Sequence, residues 1–197
     1  MAEKILVTCF EPFGGEAINA SMEVVRYLPE SIAGMDTLKL VLPVEFGKSA
    51  VIASDAAKNM QAKAIVCFGE ARGRVAVTPE LVAINLNYAS IPDNSGAEPK
   101  DEPINKDGAT AYFTSFPARK LADKIKENGV PSALSYSAGT YVCNDLYYRL
   151  LDEFSGSGVD VLFIHVPRAA EGNEYDRIAR VIFSSLDSVI REKSEKI

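Results

Sequence analysis

Apolar residues along this chain fall into two alternating kinds of run. Lys4–Cys9 (KILVTC), Leu38–Leu42, Ala64–Phe68 and Val159–His165 are short and rich in Val, Ile and Leu, the pattern of buried strands. Between them, Ser21–Leu28, Lys48–Met60 and Ala118–Glu127 repeat apolar positions every three or four residues, which predicts helices with one buried face. Val142, Leu146, Leu150, Leu151 and Phe154 form another such stripe, and Ile178, Val181, Ile182, Leu186 and Ile190 a last one. The alternation predicts an α/β fold, with helices on both faces of a largely parallel sheet. Glu80–Tyr88 (ELVAINLNY) alternates well enough to be a further strand, and Ala133–Tyr136 a short one. The turn formers of IPDNSG follow the first of these, and the polar segment 97–107 reads as an excursion from the sheet. No repeat or linker divides the chain, so one domain over residues 1–197 is expected.

Composition narrows the picture. A 47% hydrophobic content suits a packed core, and a net charge of −6 argues against a broad nucleic-acid face. No apolar run approaches the roughly 20 residues that span a bilayer. The N-terminal MAEKILVTCF reads as a first strand, not a signal peptide, so the cytosol is the expected compartment. The three cysteines, Cys9, Cys67 and Cys143, lie far apart without a CxxC pair, which argues against a disulfide scaffold. With a single histidine and no zinc-like spacing, no metal site is expected.

The candidate chemistry lies in two places. Cys143 falls near the start of a helix, with Thr140 as its expected N-cap. Free backbone amides and the positive helix end there would lower a thiol pKa from about 8.5 towards roughly 3.5–7.5, and could hold an oxyanion. His165 closes a strand at its carboxyl end, where open α/β sheets gather their ligand sites. Glu80 is an acid at the start of an apolar strand, where burial demands a partner. These positions alone leave open a plain core cysteine and a histidine satisfied by backbone. Cys9 and Cys67, inside apolar runs, read as core.

Several segments together resemble the pyroglutamyl peptidase I family of cysteine peptidases. They are LVTCFEPFGGEAINAS at 6–21, LPVEFGKS at 42–49, TPELVAINLNYASIPDNSG at 78–96, SAGTYVCNDLYYRLL at 137–151 and FIHVP at 163–167. The resemblance implies a phosphorylase/hydrolase-like α/β/α domain with an open, twisted, mixed sheet. It also implies removal of N-terminal pyroglutamate from peptides without a cofactor, by a chain that assembles as a dimer or tetramer. Carried over, the family's triad falls on Cys143, His165 and Glu80. Its substrate pocket falls on Phe10, Phe13, Val44, Ile91, Tyr141 and Val142, with Asn19 nearby and main-chain groups near Glu70 reading the lactam. Without the resemblance, Phe10 and Phe13 would read as core and Gly14-Gly15 as a turn.

The chain departs from the family pattern at several positions. Ser90 stands where the family usually has an Arg thought to help at the oxyanion site, leaving a hydroxyl and the Cys143 region as candidate donors. Glu70 replaces a usual Gln, Arg72 a usual Gly and Tyr141 a usual Phe, and the segment after HVP is short. The change at 70 is tolerable if the family's contacts there are main-chain ones; a carboxylate beside a neutral lactam would otherwise weaken binding or alter pH dependence. Two competing functions follow: a cysteine amidase for another small neutral acyl group, or a binding protein that keeps the fold.

Overall fold

The computed structural model describes residues 3–169 and 172–195. The chain runs through β1 (Lys4–Phe10), α1 (Ala20–Val25), β2 (Ser31–Ile32), β3 (Met35–Leu42), α2 (Lys48–Met60), β4 (Ala64–Glu70) and β5 (Thr78–Pro79). It continues through β6 (Val82–Ile84), β7 (Ala111–Phe113), α3 (Ala118–Glu127), α4 (Val142–Glu153), β8 (Asp160–Val166) and α5 (Gly172–Ser194). The six strands of the main sheet are ordered β2-β3-β1-β4-β8-β5. The pairs β3/β1, β1/β4 and β4/β8 are parallel, while the short edge strands β2 and β5 run antiparallel.

Side-chain alternation in the central strands separates two cores. Ile5, Val7 and Cys9 of β1, Val66 and Phe68 of β4, and Leu162 and Ile164 of β8 pack with α1, α3 and α5. Leu6 and Phe10, Ile65 and Cys67, and Val161 and Phe163 pack on the other face with α2 and α4. Cys9 therefore lies across the sheet from the α4 face, whereas Cys67 lies on it. Two-sided burial explains why the central strands read as continuous apolar runs.

Of two expected strands, one forms only in part and the other not at all. In 80–88 only β6 is regular, paired with β7 as a separate two-stranded ladder. Glu80 instead bonds Phe163 O through its amide at 2.8 Å, and Leu81 bonds Ser135 O at 2.8 Å, so the chain crosses between partners. The Asn144 side chain, fully buried in α4, accepts from Ile84 N and donates to Ile84 O and Leu86 O, replacing a strand neighbour. Residues 133–136 are extended but meet the β5 segment only through isolated bridges, Val77 with Ser132 and Glu80 with Ser135. The segment 97–107 is an excursion without regular strands, tied back by one bridge from Glu102 to Asn87 and by hydrogen bonds such as those between Asn105 and Asn85.

Candidate active site

β4 and β8 deliver two of the site's groups from their carboxyl ends. Gly69 and His165 are register partners, so the imidazole emerges on the α4 face beside a residue with no side chain. That vacancy is occupied by sulfur: a Cβ on Gly69 would lie 2.9 Å from Cys143 Sγ and 2.8 Å from Phe163 Cζ. Glycine at 69 is thus required by close approach and not by backbone conformation. Phe163, two residues before His165 on the same face, packs its ring 4.8 Å from the imidazole.

Helix α4 brings Cys143 in as its second residue. Its N-cap is Tyr141, without a side-chain cap, which corrects the expectation for Thr140. Thr140 is used otherwise: its hydroxyl donates to Tyr88 O at 3.1 Å and its carbonyl accepts from Tyr88 N at 2.9 Å, latching the loop before the helix to the loop after β6. The amides of Asn144 and Asp145 both bond Tyr141 O, so those of Val142 and Cys143 are the ones the helix leaves over.

The electrostatics of the thiol also differ from expectation. Burial, followed by the nearby Glu80 carboxylate, pushes Cys143 up to about 12, against smaller opposing effects of Arg74 and its own backbone amide. Although the side chain is half-buried and opens on a cavity, the apolar surroundings outweigh the helix end.

Glu80 completes a buried chain of contacts. His165 Nδ1 lies 2.7 Å from Glu80 Oε1, with side-chain exposures of 6% and 0%, so the pair is sealed from competing water. The same oxygen accepts from Arg74 Nη1 at 2.6 Å. The other carboxylate oxygen, Oε2, is buried without a partner. Tyr147 donates its hydroxyl to the Glu80 carbonyl at 2.9 Å, fixing the backbone as well.

Cys143 and His165 line one cavity of about 120 Å³, together with Phe10, Phe13, Asn19, Val44, Glu70, Ala138, Tyr141 and Val142. A larger groove of about 540 Å³ lies elsewhere, between the end of α1 and α5, and holds none of these groups. The small cavity has aromatic walls and few polar groups, as suits a small, flat, neutral ligand. Among the described residues no cluster of His, Cys, Asp and Glu could hold a metal ion, and no helix is long and apolar enough to cross a membrane.

A pyroglutamyl peptidase family model matches residues 3–187. The chain belongs to the pyroglutamyl peptidase family. It is 46% identical to the pyrrolidone-carboxylate peptidase of Enterococcus faecalis over 166 residues, 83% of this chain and 78% of that protein. The Bacillus amyloliquefaciens pyrrolidone-carboxylate peptidase is 44% identical over 174 residues, 87% of this chain and 81% of that protein. Among solved structures, the pyroglutamyl peptidase I of B. amyloliquefaciens superposes with a TM-score of 0.87 at 36% identity, covering 95% of this chain and 96% of that one. The pyrrolidone carboxyl peptidase of Pyrococcus furiosus gives 0.88 at 34% identity, covering 96% and 99%.

Against the pyroglutamyl peptidase pattern, the departures find separate explanations. Glu70 is 8% exposed as a residue while its side chain is 0% exposed, so its main chain is what faces the cavity. Its carboxylate accepts from Ala20 N at 2.7 Å and from Arg72 Nε at 3.3 Å, with Arg168 at 4.0 Å. The charge feared beside the ligand is spent on the start of α1 and on two arginines. Tyr141 donates its added hydroxyl to Pro92 O at 3.0 Å and keeps its ring against Phe13 and Phe46. Asn19 caps α1 through Ser21 N and donates to Glu11 O, so its side chain holds the start of the helix as well as lining the cavity.

Ser90 and Ile91 are exposed and do not line the cavity. Ile91 sits instead over Gly14, where an added Cβ would meet its Cδ1 at 3.6 Å, near Arg72 on the Phe13 ring. Residues 170 and 171 of the short segment after HVP lie outside the described residues. Sequence reasoning missed Arg74, Phe46 and Ala138. Arg74 lay in a loop with no periodicity to mark it, and Phe46 lay inside the matched LPVEFGKS segment.

Proposed function

We propose that this chain is a cysteine peptidase that hydrolyses the amide bond after an N-terminal pyroglutamyl residue, through a thioester acyl-enzyme. Cys143 is the nucleophile, His165 the general base and acid, and Glu80 the group that fixes the imidazole. The observation that carries this reading is the sealed 2.7 Å contact between His165 and Glu80 at a cavity that Cys143 also lines. With Glu80 holding Nδ1–H, the other ring nitrogen is left as the acceptor that a base requires.

The thiol proton passes to His165 as sulfur attacks the pyroglutamyl carbonyl. The leftover amides of Val142 and Cys143 supply the oxyanion donors, and Ser90, outside the cavity, takes no part. The protonated imidazole then gives its proton to the leaving amine as the C–N bond breaks and the thioester remains. Water, deprotonated by the same imidazole, cleaves the thioester and returns the proton to sulfur. Phe10, Phe13, Val44, Tyr141 and Val142 enclose the lactam ring, and the main chain at Glu70 reads its polar edge. An ordinary charged N-terminus would shed its hydration in this cavity without repayment.

Release of a fluorophore from a pyroglutamyl amide tests the assignment. Cys143→Ala is expected to lower kcat/KM by at least about 10³-fold with unchanged thermal unfolding; near-wild-type turnover by that variant would end the reading. The same reading carries a cytosolic homo-oligomer, a dimer or tetramer. Support for assembly comes from β3, where Leu38 and Val41 are 46% and 44% exposed and β2 pairs only with Met35 and Asp36. Light scattering on the purified chain decides it.

A further inference from the structure

The guanidinium of Arg74 joins three segments that meet at the site. One nitrogen, Nη1, donates to Glu80 Oε1 at 2.6 Å and also to the Thr78 hydroxyl of β5. The second, Nη2, donates to Ser137 O at 2.9 Å, in the loop that leads into α4 and Cys143. Arg74 is absent from the cavity lining, so it has no contact with a bound ring. Its side chain is 31% exposed against 0% for Glu80, so most of the charge pair is withdrawn from water. A planar fork reaching two directions at once is a task for arginine and not for lysine.

We propose that Arg74 is a positioning residue that offsets the Glu80 charge beside His165 and holds the Cys143 loop against the Glu80 carboxylate. This rests on the assignment of Cys143, His165 and Glu80 given above. The physical reason is that Glu80 Oε1 serves two donors. Were His165 its only partner, the full negative charge of Glu80 would favour imidazolium and hold the proton that must be accepted. A guanidinium on the same oxygen offsets that charge while leaving the hydrogen bond that orients the ring. Its charge also favours the thiolate as it forms.

The groups that face His165 are few. Glu80 bonds it, Thr78 of β5 is its register partner, Cys143 of α4 shares its cavity and Phe163 packs on its ring, while Arg74 and Tyr147 reach it through Glu80. Glu70, at the end of β4, is committed to Ala20 N, Arg72 and Arg168. Within this set Arg74 is the cation in contact with the His165–Glu80 pair.

The test is the pH profile of kcat/KM for a pyroglutamyl amide in the wild type, Arg74→Gln and Arg74→Lys. Removing the charge in Arg74→Gln is expected to move the acid limb to higher pH. It is also expected to lower kcat about 10- to 100-fold with KM changed less than about threefold, because the loop but not the ring pocket is released. Arg74→Lys keeps the charge, so its acid limb stays at the wild-type position while kcat recovers only in part. Thermal unfolding shows whether each variant is folded, and Arg74→Ala replaces Arg74→Gln if the latter is not. A neutral variant that is folded yet shares the wild-type acid limb overturns the proposal. A wild type that turns over no substrate, or a Cys143→Ala variant that does, overturns the triad instead.

Discussion

Single atoms decide what the residues of this site can do. Glu70 is the clearest case, since its name suggests a charge in the ligand pocket and its geometry removes it. The carboxylate is wholly buried, bonded to Ala20 N and flanked by Arg72 and Arg168, while its main chain faces the cavity. Glu70→Gln is therefore expected to leave KM for a pyroglutamyl amide within about twofold. It should cost about 1–2 kcal/mol of stability through loss of charge-assisted hydrogen bonds. Kinetics and urea unfolding on the same preparation check both halves. A large fall in KM with stability unchanged would mean the carboxylate meets the ligand after all. Sequence could supply the residue type at 70 but not its direction, because direction depends on which face of β4 carries it.

The strands and helices set distances that no side chain could set alone. Parallel pairing of β4 with β8 puts Gly69 beside His165, and α4 lays Cys143 over that glycine. Gly69→Ala would press a methyl within 3 Å of Cys143 Sγ and the Phe163 ring. The expected result is a loss of about 1–3 kcal/mol of stability and a fall in kcat/KM of at least tenfold as the sulfur shifts. Cys143 alkylation and turnover unchanged in a stable variant would contradict it.

At this scale the sequence was informative wherever burial was simple. The central strands and the helices Lys48–Met60 and Ala118–Glu127 were legible because both depend on local periodicity. Residues 80–88 were not, since Glu80 is drawn to His165 and Arg74 while Asn144 takes the place of a neighbouring strand. Strands β2 and β7, two and three residues long, leave too short a pattern to read. The N-cap was misplaced for a similar reason, because Thr140 prefers a partner 52 residues away to the helix beside it. The types and order of Cys143, His165 and Glu80 could be read from the chain, but their distances, and the role of Arg74, depend on contacts between segments.

Across the whole molecule, burial of thiols ties stability to alkaline pH. Desolvation raises Cys9 from 9.0 to about 11 and Cys67 and Cys143 to about 12. Well below pH 9 each thiol is protonated in both folded and unfolded chains, and its contribution is constant. Above that, the unfolded chain releases protons that the folded one retains until about pH 11–12, so the folded state binds more and stability falls as pH rises. Each thiol contributes a slope of up to about 1.4 kcal/mol per pH unit. Urea unfolding between pH 7.5 and 10.5 should show this decline. Cys67→Ala should show a shallower one, despite a lower starting stability from the lost packing. Parallel slopes for the two proteins would exclude the thiol at 67 as a source.

The burial of the Cys143 sulfur has a bearing on durability. Peroxides and electrophiles react with the anion of a cysteine, and surroundings that push the thiol up leave less of that anion for them to attack. Slower alkylation by iodoacetamide at neutral pH than that of a free cysteine is the expected consequence.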